Sequence, residues 1–402
     1  MEHCDVFIAG GGPAGLAAAC CFGAVGHRVV LADPRAPVTE ASDPDADLRT
    51  TAILQPGRLL LERAGAWERI APHAPELWTM RIVDAASVPP VSRDFEARDI
   101  SSAPFGWNVA NWALRRELLD SAREHPGVDL RFGMGVSDVL ARSGAARITL
   151  SDGTRLEAAL VIAADGRDSP VRAMLGIGAR SVDYGQTALA FAVSHDAPHG
   201  NVSIEVHRTG GPFTLVPLPD RDGRPCSGVV WMDGAAEQSR RMAMPEGAFA
   251  AEVNDRSGGA LGPLTPIGGR AAWPIISRTA DRLTAPHVAL VAEAAHVMPP
   301  IGAQGLNTSL RDIEALLNLA GEHRGDLGGR AMLDAYARRR LPDIGLRVGG
   351  IDVLNRISRA GSPQLHGLRA LGIRALHDVA PLRRGIMRLG LGTARPMHGG
   401  DR

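Results

Sequence analysis

The sequence predicts an α/β fold: a nucleotide-binding domain interrupted by an inserted β-sheet and followed by a C-terminal helical segment. Three observations predict it. Near the N-terminus, the apolar run Cys4–Ala9 leads into Gly10, Gly11, Gly12, Pro13, Ala14 and Gly15, then an Ala-rich helix and a second apolar run at 28–31. Far along the chain, four apolar residues at 288–291 lead through a Pro- and Gly-rich loop into a run with Leu306, Leu310, Ile313 and Leu317 at helical spacing. Between them, residues 184–233 break into short apolar runs separated by Gly, Pro and Asp, the pattern of successive strands.

Bulk properties narrow the function classes. The 402 residues carry 44 basic and 44 acidic side chains, a balance that argues against nucleic acid as a general partner. Every basic residue is arginine, which reads as a coding bias. A strand-like run begins within a few residues of Met1, so no signal peptide is expected. With no apolar run of membrane-spanning length either, a cytoplasmic protein is expected. Cys4, Cys20, Cys21 and Cys226 lack zinc or disulfide spacing and are expected to be reduced.

The first glycine cluster is G-x-G-x-x-G in the setting that gives it meaning. Gly10 permits a tight turn, Gly12 lets a pyrophosphate approach the backbone, and Gly15 lets helix and strand pack closely. Asp33, closing the second apolar run, stands where an acid binds the ribose hydroxyls of an adenosine. NAD and FAD share this unit, so it does not choose between them. A second element, Asp165-Gly166-Arg167-Asp168-Ser169, follows the apolar run 160–164 and continues to Val171 and Arg172. The third is AEAAHVMPPIGAQGLNTSLRD over 292–312, in which Pro299, Pro300, Gly302 and Gly305 precede a helix whose free N–H groups suit an anion or polarised oxygen.

Together these segments resemble the class A FAD-dependent aromatic hydroxylases, with their para-hydroxybenzoate hydroxylase-like fold, and most closely the branch acting in ubiquinone biosynthesis. The third segment resembles the family motif GDAAH, a proline, then GQGxN, with Ala292 and Glu293 in place of Gly-Asp. The second resembles the family's DGxxSxVR. The resemblance implies a Rossmann-type FAD-binding domain over 1–80, 103–180 and 284–330, a substrate-binding β-sheet domain over 181–283, and a helical segment over 331–402. It implies cofactor contacts at Gly10, Gly12, Pro13, Ala14, Gly15, Asp33, Arg49, Asn111, Asp165, Gly166, Glu293, Gly302, Gln304, Gly305, Leu306 and Asn307. Pro299, Pro300 and Gly302 would line the flavin ring, and His296 would be structural.

The implied reaction uses NADH or NADPH as a transient reductant and dioxygen to hydroxylate a prenylated phenol. The flavin carries the chemistry, so no catalytic side chain is assigned. Two other readings remain at this point: a hydroxylase of a small soluble phenol, and a flavin-poor structural subunit of a quinone-biosynthesis complex. Phe191, Phe213, Leu215, Val216, Leu218, Val229 and Trp231 form an apolar strand set, of which alternation should turn about half toward the flavin. In the tail, Leu365 to Ile386 alternate with arginines. Such a basic amphipathic segment either packs on its own domain or docks on a membrane, the inner face of the cytoplasmic membrane, or on a quinone-biosynthesis complex.

Overall fold

A computed structural model describes residues 1–85, 89–142, 144–208, 210–359 and 380–391. The apolar runs become the inner strands of a sheet ordered 284–285, 288–290, 155–163, 2–9, 29–33 and 128–132. From Val288–Leu290 to Val128–Phe132, neighbouring strands run parallel. Ile8 pairs with Ile162 on one side and Leu31 on the other. Val6, Phe7, Ile8, Leu160, Val161 and Ile162 are all fully buried, as strands covered on both faces require. Helix Pro13–Ala24 returns across this sheet and packs against helix Gln304–Glu322.

Helix Gln304–Glu322 buries Leu310 and Ile313 as its spacing predicts, but its stripe runs on through Leu316 and Leu319 while Leu306 and Leu317 are only half-buried. The stripe is rotated because a second helix, Gln55–Arg63, flanks it. A β-carbon on Gly57 would lie 2.8 Å from Leu310 Cδ1.

The second sheet is ordered 296–297, 265–280, 179–194, 224–234, 212–221, 202–207, 79–84 and 91–96. It therefore recruits Thr79–Asp84 and Val91–Glu96 from far upstream: Thr79 and Met80 pair with Val202 and Ser203. Helices Ala235–Met242 and Glu246–Ser257 lie between strands 224–234 and 265–280.

Alternation sorts the apolar strand residues more one-sidedly than expected. Phe191, Phe213, Leu215, Val229 and Trp231 all join Phe249 and Val253 of helix Glu246–Ser257 in one core. Edge-on aromatic pairs reinforce it, Phe191 with Phe249 at 4.9 Å and Phe213 with Trp231 at 5.4 Å. Five of the seven residues thus serve the helix-covered face, because that helix supplies an apolar stripe the sequence reading did not place there. On the opposite face, Ala188, Met232 and Ile275 cluster with Val230, Trp273 and Ile301. Ile301 belongs to the Pro-rich loop, so this apolar face is the one turned toward the third motif.

The two sheets meet across a small third one, Thr50–Leu54, Gly106–Ala110 and Glu76–Leu77. Gly228 is required at that junction, since a β-carbon there would stand 2.7 Å from Thr50 Cγ2. The tail forms helices Arg330–Arg359 and Ala380–Leu391, and Pro381 sits in the first turn of the latter, where proline is tolerated. Leu365, Leu368, Leu371, Ile373, Leu376 and Val379, which carry most of the basic amphipathic pattern, lie outside the described residues.

Candidate functional site

Three adjacent parallel strands end at one edge of the first sheet, and each delivers one of the motifs. Gly10 N–H donates to Ala32 O (2.8 Å), Ala164 N–H to Ala9 O (2.8 Å) and Val291 N–H to Ala163 O (3.0 Å). The chains then diverge, which is the crevice where open α/β sheets bind ligands.

At the first loop, Gly10 takes φ +108°. A β-carbon there would be 2.4 Å from Ala164 O, and one on Gly15 would be 1.9 Å from Gly10 O. Gly12 differs: its β-carbon would meet nothing within 4 Å. Helix Pro13–Ala24 starts with Pro13 in its first turn and no side-chain cap, so the first-turn N–H groups near Ala14 and Gly15 face that open side. Asp33 accepts from Gly11 N–H (2.6 Å) and Arg35 N–H (2.8 Å), which fixes the loop beside the end of its strand. Close packing at Gly10 and Gly15 with open space at Gly12 fits a dinucleotide pyrophosphate.

Arg49 and Asn111, expected as nucleotide contacts, are brought together by Asp47, which sequence reasoning missed. Arg49 Nε and Nη2 donate to the two Asp47 oxygens at 2.7 Å each. Asp47 Oδ2 also accepts from Asn111 Nδ2 at 3.0 Å and from Arg115 Nη2 at 3.3 Å. Asn111 Oδ1 accepts from Thr51 Oγ1 at 2.8 Å. Burial alone would raise the Asp47 carboxyl, but Arg49, Asn111 and Arg115 outweigh it and hold it below the usual carboxylate range. The Arg49 guanidinium also lies over the Trp273 ring of the second sheet, 5.4 Å from its centroid. The one available signal was local: Asp47 stands two residues before Arg49 and caps its N–H at 3.2 Å.

In the second motif, Asp165 accepts from Ser169 Oγ (2.5 Å) and Val171 N–H (2.9 Å), and Gly166 takes φ +90°. Burial pushes the Asp165 carboxyl above its usual range despite those bonds. Arg172, buried, donates to Ala294 O at 2.8 Å and ties this motif to the third. Glu293 is half-exposed and pairs with Arg167 Nε at 3.5 Å.

The third motif turns on Ala292, which takes φ +53°. That conformation is unfavourable for any residue with a β-carbon and explains why the related motif places glycine there. Ala292 N–H donates to Asp312 Oδ2 at 3.1 Å, and His296 Nε2 lies 2.7 Å from the same oxygen. Arg340 Nε donates to Asp312 Oδ1 at 2.7 Å. His296 is thus held in the core, in the structural position expected of it. Burial would raise the Asp312 carboxyl, yet the charges of His296 and Arg340 hold it below its usual range.

Beyond Pro299 and Pro300, Gly302 (φ +63°) and Ala303 (φ +55°) turn the chain into helix Gln304–Glu322, whose N-terminus has no side-chain cap. A β-carbon on Gly305 would meet nothing within 4 Å, so this helix start is open as Gly12 is. Leu306 is half-buried beside it. The side chains of Gln304 and Asn307 are committed to protein. Asn307 Nδ2 donates to Ala52 O and Ala303 O (2.7 Å each), and its Oδ1 accepts from Leu54 N–H at 2.8 Å. Gln304 Nε2 donates to Gly302 O at 2.9 Å. These two side chains position the loop, leaving backbone N–H groups to face a ligand.

The profile described as FAD binding domain matches residues 3–345. The ubiquinone hydroxylase UbiL of Rhodospirillum rubrum is 32% identical over 400 residues, covering 97% of this chain and 90% of the relative. The 3-demethoxyubiquinol 3-hydroxylase of Escherichia coli is 27% identical over 391 residues, covering 96% and 98%. The crystal structure of p-nitrophenol 4-monooxygenase PnpA from Pseudomonas putida shares the fold, with a TM-score of 0.80 at 20% identity over 98% of this chain and 100% of that one.

Two outcomes follow from the third motif. Ala292→Gly should raise stability by roughly 0.5–1 kcal/mol, the relieved left-handed strain less the added freedom of the unfolded glycine. Thermal unfolding checks this, and an unchanged or lower midpoint would mean that residue 292 is not held at positive φ. Asp312 has a lowered folded pKa, so its stabilisation is present above the unfolded value of about 4 and lost as pH falls through the folded one. Asp312→Asn should cost about 3 kcal/mol at neutral pH by removing the buried carboxylate between His296 and Arg340 and leaving Arg340 only its part-exposed partner Asp343, and should show a shallower loss of stability below about pH 4. Urea unfolding at several pH values measures both.

Proposed function

The chain belongs to the FAD-binding domain family, and from that membership we propose an FAD-dependent monooxygenase that hydroxylates the aromatic ring of a prenylated phenol in ubiquinone biosynthesis. NAD(P)H is the reductant and dioxygen the oxygen source. The observation that carries the reading is the delivery of three flavin-type motifs from three neighbouring parallel strands to one sheet edge.

Gly10, Gly12, Pro13, Ala14 and Gly15 would hold the pyrophosphate, with Asp33 beside the adenosine ribose. Arg49, Asn111, Asp165, Gly166 and Glu293 would border the ribityl chain. Pro299, Pro300, Gly302, Gly305, Leu306 and the backbone at Gln304 and Asn307 would border the ring. Bound FAD would supply the redox chemistry, reduction by a nicotinamide and activation of dioxygen. The protein orients and excludes water. The open start of helix Gln304–Glu322 places about half a positive charge where negative charge on the ring would develop. Neither Ala292 nor Glu293 breaks the motif: the first keeps the left-handed turn and the second pairs with Arg167.

Substrate class is argued from the motif-facing side of the second sheet. Ala188, Val230, Met232, Trp273 and Ile275 lie there, and Ala188 and Met232 are paired across strands. A soluble benzoate calls for an arginine to pair its carboxylate. Arg208 instead pairs with Asp255 on the helix-covered side at 3.1 Å, and Arg221 stands exposed at a turn. An apolar face of this composition suits an isoprenoid chain better. Docking on a membrane surface is the finer part of the proposal, supported by Leu346, Val353 and Leu354, which are 62%, 54% and 53% exposed on helix Arg330–Arg359. Among the described residues no helix is long and apolar enough to cross a membrane.

Titration with phenols of increasing tail length, following NAD(P)H oxidation coupled to product, tests this reading. Each buried methylene contributes about 0.8 kcal/mol, so a few isoprenoid carbons should raise kcat/KM by one or more orders of magnitude. Equal efficiency with the tailless phenol would replace the quinone-pathway reading with a soluble-phenol hydroxylase.

A further inference from the structure

We infer that helix Arg330–Arg359 clamps the ring-site loop at both ends through one buried chain of alternating charges, making Arg340 and Arg347 positioning residues. The inference rests on the flavin reading for its catalytic consequence, but the clamp itself is a property of the protein alone.

The chain of contacts starts before the loop and ends after it. Asp312 holds Ala292 N–H at 3.1 Å and His296 Nε2 at 2.7 Å, and receives Arg340 Nε at 2.7 Å. Arg340 Nη1 continues to Asp343 Oδ2 at 2.7 Å, and Arg347 Nε reaches the two Asp343 oxygens at 3.0 and 3.1 Å. Arg347 Nη1 then donates to Gln304 Oε1. Gln304 Nε2 closes the far end on Gly302 O at 2.9 Å and on Gly390 O of the tail helix at 3.0 Å. Asp312, Arg340, Asp343 and Arg347 alternate in sign, with side chains 0%, 6%, 27% and 12% exposed. Each charge is neutralised by the next, which is what permits such a row to be buried.

Residues 297–303 lie between the two clamped ends. That segment contains a proline pair and Ala303 at φ +55°, a conformation its own side chain disfavours. Strained backbone of this kind persists only where its surroundings over-determine it. Asn307 Nδ2 holds Ala303 O at 2.7 Å and Ile301 N–H bonds Pro299 O at 2.8 Å, and the charge row restrains the segment from both ends. The tail helix adds to the far end, where Arg383 pairs with Asp99 at 2.9 Å and fixes Ala380–Leu391 beside Gln304. So the C-terminal helices, which reach the third motif at Asp312 and Gln304, set the geometry of the loop beside the ring.

The test is hydrogen exchange on Arg347→Met, Arg347→Lys and Asp343→Asn, carried out first without FAD. Arg347→Met keeps side-chain length and removes every bond to Asp343 and Gln304. The clamp predicts that the Ile301 amide, which is bonded to Pro299 O within the loop, exchanges on the order of tenfold faster in Arg347→Met and Asp343→Asn, while strand Glu2–Ala9 keeps wild-type protection. Arg347→Lys should fall between. With FAD added, the share of NAD(P)H oxidation released as hydrogen peroxide should rise several-fold in the same order. Wild-type exchange in the loop would overturn the clamp, and so would an equal rise in loop and first strand, which marks general destabilisation. If the wild-type protein takes up no FAD, the flavin reading fails while the exchange comparison still decides the clamp.

Discussion

A β-carbon on Gly10 would stand 2.4 Å from the Ala164 carbonyl, so strands Glu2–Ala9 and Arg155–Ala163 approach as closely as backbone allows where they leave the sheet. That approach sets the rest of the site. It brings the first glycine loop against the Asp165–Arg172 turn, and Val291, bonded to Ala163, brings the third motif into the same row. Gly15 then packs on Gly10, aiming helix Pro13–Ala24 with its uncapped end at the crevice. Segments separated by more than a hundred residues in sequence become neighbours because parallel strands must end at a common edge.

Two buried carboxylates then hold the pieces in register. Asp47 gathers Arg49, Asn111 and Arg115 on one side of the crevice, and Asp312 gathers Ala292 N–H, His296 and Arg340 on the other. Such groups contribute little net stability, since desolvation offsets most of the attraction. Their effect is geometric. Each accepts several donors in fixed directions, so the backbone cannot shift without leaving a buried charge unpaired. Through Arg49 over Trp273, and Asn108 Nδ2 to Pro217 O at 2.8 Å, the segments carrying these two residues are also fixed against the second sheet. The apolar face carrying Ala188 and Met232 is thereby held opposite the Pro-rich loop.

The motifs were legible in the sequence because each is local: a strand, a loop with glycine where positive φ or close approach requires it, and a helix start. Gly10, Gly166 and Gly302 all take positive φ in the structure. Ala292 and Ala303 take it too, and no propensity argument would have placed alanine there. What sequence could not supply was partnership over distance. Asp312 looked like an ordinary residue of an amphipathic helix until Arg340 and His296 closed on it. The strand set at 191–231 was correctly apolar, but only the position of Phe249 and Val253 decides which face Phe191 and Trp231 occupy. Likewise Thr79–Asp84 joins the second sheet by pairing with Val202–His207, a contact that alternation within either strand does not encode.

The occupant we propose for the crevice at this sheet edge is a flavin dinucleotide held by both its halves, pyrophosphate at Gly12 and ring at the start of helix Gln304–Glu322. The most direct measurement is a fluorescence titration of flavin-free protein with FAD and, separately, with FMN, in wild type and in Gly12→Glu. Wild type should bind one FAD per chain, with FMN bound about a hundredfold more weakly for want of the adenosine half, and folded Gly12→Glu should take up no FAD. Equal affinity for FMN and FAD, or undiminished FAD binding by Gly12→Glu, would contradict this proposal.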